Sequence, residues 1–166
     1  MARLPLFFCT LLVVLGLTSN THAKDINVIN GVLDSLISAQ VNEKDIHGIF
    51  NRTFRNFSYV SDRPGEDVWI DYSYRVKKNR KFYGNCDDFA VTLHTLLYEQ
   101  GYRPRLYIVY IPELSSYHAV IRVNNLLLDN RQDTVKHWNH VHLEYTNVVP
   151  YPDQVWLKKV IRIISP

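Results

Sequence analysis

The stretch YGNCDDFAVTLHTLLYEQG carries the side chains with the clearest chemical potential in this chain. Cys86 lies at the predicted first turn of a helix, and Asp87 and Asp88 follow it directly. Free backbone N–H groups and the helix dipole at such a position favour a negatively charged thiolate. The placement indicates a cysteine nucleophile, and the alternative is a buried structural cysteine.

The first 23 residues have the features of a signal peptide. Arg3 precedes an apolar run from Leu4 to Leu17, and the segment ends in the small residue Ala23. The run is shorter than the ~20 residues of a membrane-spanning helix. We therefore expect cleavage, a periplasmic or secreted protein, and no stable membrane insertion afterwards; the alternative is an uncleaved membrane anchor.

The cysteine count bears on the role of the thiol. The chain has 2 cysteines, and cleavage after Ala23 would remove Cys9. Cys86 would then have no partner for a disulfide within the mature chain. A leftover thiol in an exported protein indicates a reactive group or a bond to another molecule. The count alone does not choose between these readings and a structural cysteine.

Composition predicts one globular domain over residues 24–166. Hydrophobic residues make up 46% of the 166 residues and aromatic residues 13%, which is enough to bury a core. The net charge of +3 is mild, and the basic cluster KKNRK at 77–81 is typical of a solvated helix end. We expect no nucleic-acid partner.

Apolar spacing predicts four helices in the first part of the chain. The first covers the region 28–37, and Asn42 is expected to cap the second. A third is predicted within 63–78, and the fourth from about Cys86 to the cap at Gly101. The predicted inner stripe of the second helix consists of Ile46, Ile49, Phe50, Phe54 and Phe57.

The pattern then changes to short runs of branched and aromatic residues, which predict strands. These runs are RLYIVYI at 105–111, YHAVIRV at 117–123, LLLD at 126–129 and VWLKKVIRI at 155–163. Helices followed by consecutive strands are typical of an α+β domain with an antiparallel sheet.

The residues Asn124 and Asn125 predict a tight hairpin turn between two of these strands, because Asn tolerates positive φ angles. A two-residue turn pairs Val123 with Leu126. His118 and Asp129 then lie on one face of the sheet as diagonal neighbours, within reach of a hydrogen bond. A three-residue turn would remove this relationship.

Cys86, His118 and Asp129 together have the residue types of a nucleophilic site. An imidazole stabilises a nearby thiolate and passes a proton to the leaving group. A carboxylate behind the imidazole sets its tautomer and orientation.

The motifs GNCDDFA, YHAV and LLLDN, in this order, resemble the bacterial transglutaminase-like cysteine proteinases, which include the LapG-type periplasmic proteases. FNRTFRNFSYVSD, EDVW, RLYIVYI and Trp156 extend the resemblance over most of the chain from about Phe50. The resemblance implies a papain-like or transglutaminase-like fold. It implies that Cys86 is the nucleophile, His118 the general base and acid, and Asp129 the orienting carboxylate. The implied activity is an exported cysteine endopeptidase acting on a protein, such as another exported or surface protein.

The resemblance also implies calcium bound by carboxylates around the nucleophile, here Asp87 and Asp88. Asn85 departs from the family, which typically has an acidic residue directly before the cysteine. Oxygen ligands suit calcium, and a cation would offset two carboxylates that oppose thiolate formation. The alternative is that both carboxylates only favour the positive helix start.

Two other functions remain open at the level of sequence. Transglutaminases form the same thioester and resolve it with an amine, which would make the chain an acyl transferase. A non-catalytic binding module on the same fold is the second alternative.

Overall fold

The structure is a computed structural model, and it describes residues 43–152 and 160–162. The chain divides into two compact units, Met1–Asn42 and Glu43–Pro166, and every described residue belongs to the second. The predicted signal peptide, the predicted helix at 28–37 and the proposed cap Asn42 lie outside the described residues. None of the described helices combines the length and apolar composition that crossing a membrane requires.

The predicted second helix is present as α1, described over residues 43–56. Ile46, Ile49 and Phe50 are buried in the core, and Phe54 packs against its edge. The spacing of these side chains places them on one helical stripe, as the sequence predicts. Phe57, the last member of the predicted stripe, instead begins the strand β1, Phe57–Tyr59.

The region 63–78 carries a third helix, as its sequence predicts, but the helix is confined to the end of the region. The region forms the strand β2, Trp69–Asp71, and then the short helix α2, Ser73–Lys77. The N–H of Ile70 donates to the carboxylate of Asp88, and Asp71 accepts hydrogen bonds from Ser73 and Thr95. These contacts with the next helix hold the segment extended, so tertiary context overrides the helical spacing.

The helix α3, Cys86–Glu99, follows the strand β3, Phe82–Gly84. It begins where the sequence predicts. At its end Gly101 has φ +87°, its N–H donates to Tyr98, and the N–H of Tyr102 donates to Leu97. These two bonds form a Schellman motif, which satisfies the last carbonyls of the helix and confirms the predicted glycine cap.

A five-stranded antiparallel sheet follows, with strand order β7-β6-β5-β4-β8. Its strands are β4 Arg105–Ile111, β5 Ser116–Val123, β6 Leu126–Leu128, β7 Lys136–His137 and β8 Thr146–Pro150. Short 3-10 turns span Pro112–Leu114 and Trp138–His140, and the helix α4 spans Val141–Glu144. A last strand, β9 Val160–Arg162, pairs in parallel with β2, and β1 pairs in parallel with β3. The mixed helix and sheet architecture with an antiparallel sheet agrees with the predicted α+β class.

The hairpin between β5 and β6 has the predicted register. Val123 pairs with Leu126 across a two-residue turn, and Asn124 adopts φ 52°. The ladder ends at the pair of Ile121 with Leu128. Asp129, the last residue of the predicted strand 126–129, is therefore not paired with β5, because β6 ends at Leu128.

The sheet buries two apolar faces, which follow from the alternation of side chains along β5 and β6. On one face, Ala119, Ile121 and Val123 join the same cluster as the apolar residues of α3. On the other, Val120 and Leu127 pack with a second cluster that includes Tyr145. Packing of the first face against α3 fixes the sheet relative to this helix, which begins at Cys86.

Candidate active site

Cys86 occupies the first turn of α3, directly after the N-cap residue Asn85. Its side chain is half-buried, and it is the free cysteine of the described part of the chain. A thiol at a helix N-terminus is close to unsatisfied N–H groups and to the positive end of the helix dipole. The structure therefore places Cys86 at the helix position that the sequence predicts for it.

A capping box fixes the backbone around Cys86. The side-chain oxygen of Asn85 accepts hydrogen bonds from the N–H groups of Asp87 and Asp88, at 3.1 and 3.2 Å. In return, Asp88 accepts a hydrogen bond from the N–H of Asn85 at 3.1 Å. The N–H of Cys86 itself takes no part in this capping box. That N–H is left available to a group bound beside the thiol.

His118 and Asp129 form a buried pair. Nε2 of His118 lies 2.7 Å from Oδ1 of Asp129, and their side chains are 6% and 1% exposed. An ionised carboxylate only accepts hydrogen bonds, so Nε2 carries the hydrogen and Nδ1 is the nitrogen that faces other partners. The hairpin brings these two residues together as the sequence predicts.

The pKa of His118 connects it to Cys86 as well as to Asp129. Burial disfavours the charged imidazolium, but hydrogen bonds to Asp129 and Cys86 and the charges of both groups outweigh burial and raise the pKa from 6.5 to about 9. Since Nε2 is engaged by Asp129, Nδ1 is the nitrogen left for the thiol. Cys86 and Asp129 thus both act on the pKa of His118, and Asp129 bonds to its imidazole directly.

The carboxylate of Asp129 is held by two donors besides His118. The backbone N–H of Arg131 donates to Oδ1 at 2.9 Å, and the hydroxyl of Tyr145 donates to Oδ2. Burial opposes the charged form, yet the hydrogen bonds and charge of His118, with these two donors, lower the pKa of Asp129. Tyr145 was not singled out from the sequence, because it lies 16 positions from Asp129 on a short helix end with no distinguishing motif.

Asp88 has a structural environment within α3. It is 2% exposed, and its two oxygens accept hydrogen bonds from the backbone N–H groups of Ile70 and Asn85. Its pKa is raised to about 6, and burial is the largest contribution to this increase. Asp88 thus joins β2 to the start of α3, and its carboxylate is already occupied by donors.

Asp87 differs, because its Oδ1 is buried and has no hydrogen-bond partner among the described residues. Burial and the charges of Asp88, Asp62 and Asp67 raise the pKa of Asp87 to about 7. An unpartnered buried oxygen among carboxylates fits a hard cation that takes oxygen ligands. Over residues 43–152 and 160–162, no group of three or more His, Cys, Asp or Glu side chains converges as a metal site.

The sequence matches no known protein-family model and, at a significant level, no curated protein. Among solved structures, the fold is similar to that of calcium-bound LapG from Legionella pneumophila, with a TM-score of 0.51 and 18% identity over 82% of this chain and 78% of that chain. Two further LapG structures from Legionella pneumophila, one of them EGTA-treated, have 18% identity and TM-scores of 0.47. Each aligns with 67% of this chain, and the chain spans about three-fifths of the length of these two LapG chains. At this identity the similarity to calcium-bound LapG concerns the fold.

Proposed function

We propose that this chain is an exported cysteine endopeptidase with a papain-like, transglutaminase-like fold and a Cys86–His118–Asp129 triad. The observation that carries the proposal is the buried His118–Asp129 pair, 2.7 Å apart. The thiol of Cys86, at a capped helix start, is close enough to contribute to the raised pKa of this imidazole. A structural cysteine needs none of these arrangements. Three groups in the order nucleophile, base and orienting acid are what acyl transfer requires.

In the acylation step, the Cys86 thiolate attacks the carbonyl carbon of a peptide bond. The resulting oxyanion has the N–H of Cys86 as a hydrogen-bond donor, since the capping box uses the neighbouring N–H groups instead. Protonated His118 transfers its proton to the departing amine, and a thioester forms between Cys86 and the substrate. A pKa near 9 keeps His118 protonated, and able to act as this acid, at neutral pH.

In the deacylation step, neutral His118 takes a proton from water, which attacks the thioester. The bond to sulfur breaks, the acid product leaves and the thiolate of Cys86 returns. Asp129 stays ionised throughout, because the donors around it lower its pKa, and it stabilises the imidazolium that forms in each step.

Calcium is part of this proposal, and Asp87 would hold it. The unpartnered oxygen of Asp87 and the nearby Asp62 supply the carboxylate chemistry that calcium prefers. When bound, calcium would neutralise the carboxylates beside the thiol and so ease thiolate formation. Asp88 would act through the capping box, which holds the helix start whether or not the cation is present.

The proposed substrate is a protein encountered outside the cytoplasm. The predicted signal peptide and the resemblance of the catalytic motifs both support an exported enzyme with an exported or surface protein as substrate. The fold similarity to calcium-bound LapG agrees with the fold that the resemblance implies.

The test uses the mature chain with a thiol-directed active-site probe and a proteome-derived peptide library. We expect the probe to label Cys86, His118→Ala to abolish labelling, and mass spectrometry to detect new peptide termini. Cys86→Ala is the matched control and should produce none. Labelling that is unchanged in His118→Ala, with no new termini, would contradict the proposal.

The same assay separates hydrolysis from acyl transfer. Adding a primary amine such as a labelled cadaverine offers a second acceptor for the thioester. Hydrolysis predicts free carboxylates as the main product, whereas amine incorporated into glutamine side chains would identify a transglutaminase. Binding of peptides without either product would identify a non-catalytic module.

A further inference from the structure

Tyr145 is a buried tyrosine that the triad chemistry does not use, and it contacts two members of the triad. Its hydroxyl donates to Oδ2 of Asp129, and its ring centroid lies 6.1 Å from that of His118. The side chain is 2% exposed. It therefore forms the wall of the site behind the imidazole and the carboxylate.

We propose that Tyr145 is a positioning residue that holds the Asp129 carboxylate in the orientation in which it binds His118. The inference rests on the proposed function and deepens it. It adds a fourth residue, which acts only through Asp129.

The need for such a residue follows from where β6 ends. The ladder between β5 and β6 stops at Ile121–Leu128, so strand pairing does not fix the backbone of Asp129. Directly after β6 the main chain enters a turn, in which the N–H of Gln132 donates to the carbonyl of Asp129. A carboxylate on a turn can rotate about its last torsion, which is broad in aspartate. Tyr145 bonds to Oδ2, the oxygen that neither His118 nor Arg131 contacts, and so opposes this rotation.

Tyr145 is itself well fixed. Its backbone N–H donates to the carbonyl of Val141 at 2.9 Å, and its ring packs in the second apolar cluster beside Val109 and Leu127. The guanidinium of Arg131 lies over the Tyr145 ring, 5.7 Å from its centroid. A rigid donor reduces the number of orientations that Asp129 samples, which is how supporting residues assist a catalytic group.

The charged and hydrogen-bonding groups around Tyr145 and Asp129 determine the pKa of the Asp129 carboxyl. His118 from β5 and the N–H of Arg131 bond to Asp129, while Arg131 and Glu144 act on Tyr145. Cys86 from α3 lies on the other side of His118. The hydroxyl of Tyr145 is among the groups that lower the pKa of Asp129, so its removal should raise that pKa.

The test is Tyr145→Phe, which keeps the ring and removes the hydroxyl. We expect kcat to fall about tenfold with KM changed less than twofold, since one hydrogen bond to a charged group is lost. The carboxyl carbon of Asp129, followed by NMR, should titrate at a higher pH than in the wild type, because one of the groups that lower its pKa is lost. The matched control is Tyr107→Phe, which removes a hydroxyl from the same apolar cluster and should leave both values unchanged.

A purely structural role would lower the unfolding midpoint and leave the Asp129 titration and kcat at their wild-type values, and that result would overturn the inference. If Tyr145→Phe does not fold, 3-fluorotyrosine at position 145 keeps the hydroxyl and makes it a stronger donor. The Asp129 titration should then move to lower pH, and no movement would also overturn the inference. The titration needs no turnover, so an inactive wild-type protein would count against the proposed function alone.

Discussion

His118 and Asp129 meet through their side chains at a point where their strands no longer pair. The ladder joining β5 to β6 ends at Ile121–Leu128, yet Nε2 of His118 and Oδ1 of Asp129 are 2.7 Å apart. The hydrogen bond is buried, so it is stronger than the same bond in water. Removing one partner would leave the other buried and unsatisfied, which destabilises the protein. The site thus depends on side-chain contacts that the backbone alone does not enforce.

Asp129→Asn should separate catalysis from stability. The amide keeps the size of the side chain but removes the charge, and it no longer selects the imidazole tautomer with Nε2 protonated. We expect kcat to fall by about 10²–10⁴, by analogy with the orienting carboxylate of other triads, with a stability loss of about 1–3 kcal/mol. Turnover and urea unfolding of the same preparation measure both. Asp133→Asn, an exposed neighbour, is the control and should alter neither value; near-normal turnover in Asp129→Asn would remove Asp129 from the mechanism.

The pKa of His118 predicts how stability depends on pH. Folding raises this pKa from 6.5 to about 9, so the protonated imidazole favours the folded state. The contribution is complete below about pH 6.5 and is lost as pH rises through about 9. The difference in unfolding free energy between wild type and His118→Gln should be about 3 kcal/mol larger at pH 6 than at pH 10.

The matched control for this measurement is His47→Gln on the exposed side of α1. The difference in unfolding free energy between His47→Gln and wild type should be the same at pH 6 and at pH 10. A His118→Gln difference that is equally flat between pH 6 and pH 10 would show that the pair does not stabilise the charged imidazole.

Local signals in the sequence account for the correctly predicted parts of the site. The start of α3 follows from a capping asparagine and an apolar stripe, and the hairpin register follows from Asn124 and Asn125. Each signal involves residues close in sequence, whose geometry is restricted by turn and cap chemistry. These two local features predict the position of Cys86 and the pairing of His118 with Asp129, whereas a site shared by all three is predicted by their residue types and by the family resemblance.

Contacts between distant parts of the chain account for what was missed. Asp88 holds the N–H of Ile70 across 18 positions and keeps β2 extended, although the spacing of its segment is helical. Tyr145 reaches Asp129 from a short helix beyond β7. Neither contact leaves a periodic pattern, because each depends on how the elements pack rather than on the neighbouring residues.

Calcium should stabilise the mature chain through Asp87. At about a hundred times its Kd, a bound ligand adds about 2.7 kcal/mol to the unfolding free energy, which corresponds to a rise of several degrees in Tm. We expect this rise on adding calcium to EGTA-treated protein, and we expect Asp87→Asn to remove it, because the amide loses the negative charge and one of the two carboxylate oxygens at this buried position. Asp133→Asn should keep the full response. Equal Tm values with and without calcium in the wild type would refute the calcium assignment.

The last prediction concerns Gly84, which lies against the helix start that carries Cys86. A Cβ at position 84 would lie 2.7 Å from Cβ of Asp88 and closer still to its Oδ2. Asp88 cannot move aside cheaply, since its carboxylate bonds to the N–H groups of Ile70 and Asn85. Gly84→Ala should therefore strain the capping box and lower the unfolding free energy by about 1–3 kcal/mol.

Gly48→Ala supplies the control with the opposite sign. A Cβ at Gly48 meets nothing within 4 Å on the exposed side of α1, so alanine should raise the unfolding free energy by about 0.5–1 kcal/mol through helix propensity. Urea unfolding of both variants measures the difference. Because Asp88 also orients the first turn of α3, Gly84→Ala should slow labelling of Cys86 as well. If Gly84→Ala is as stable as wild type and is labelled at the same rate, the close contact with Asp88 does not constrain the site.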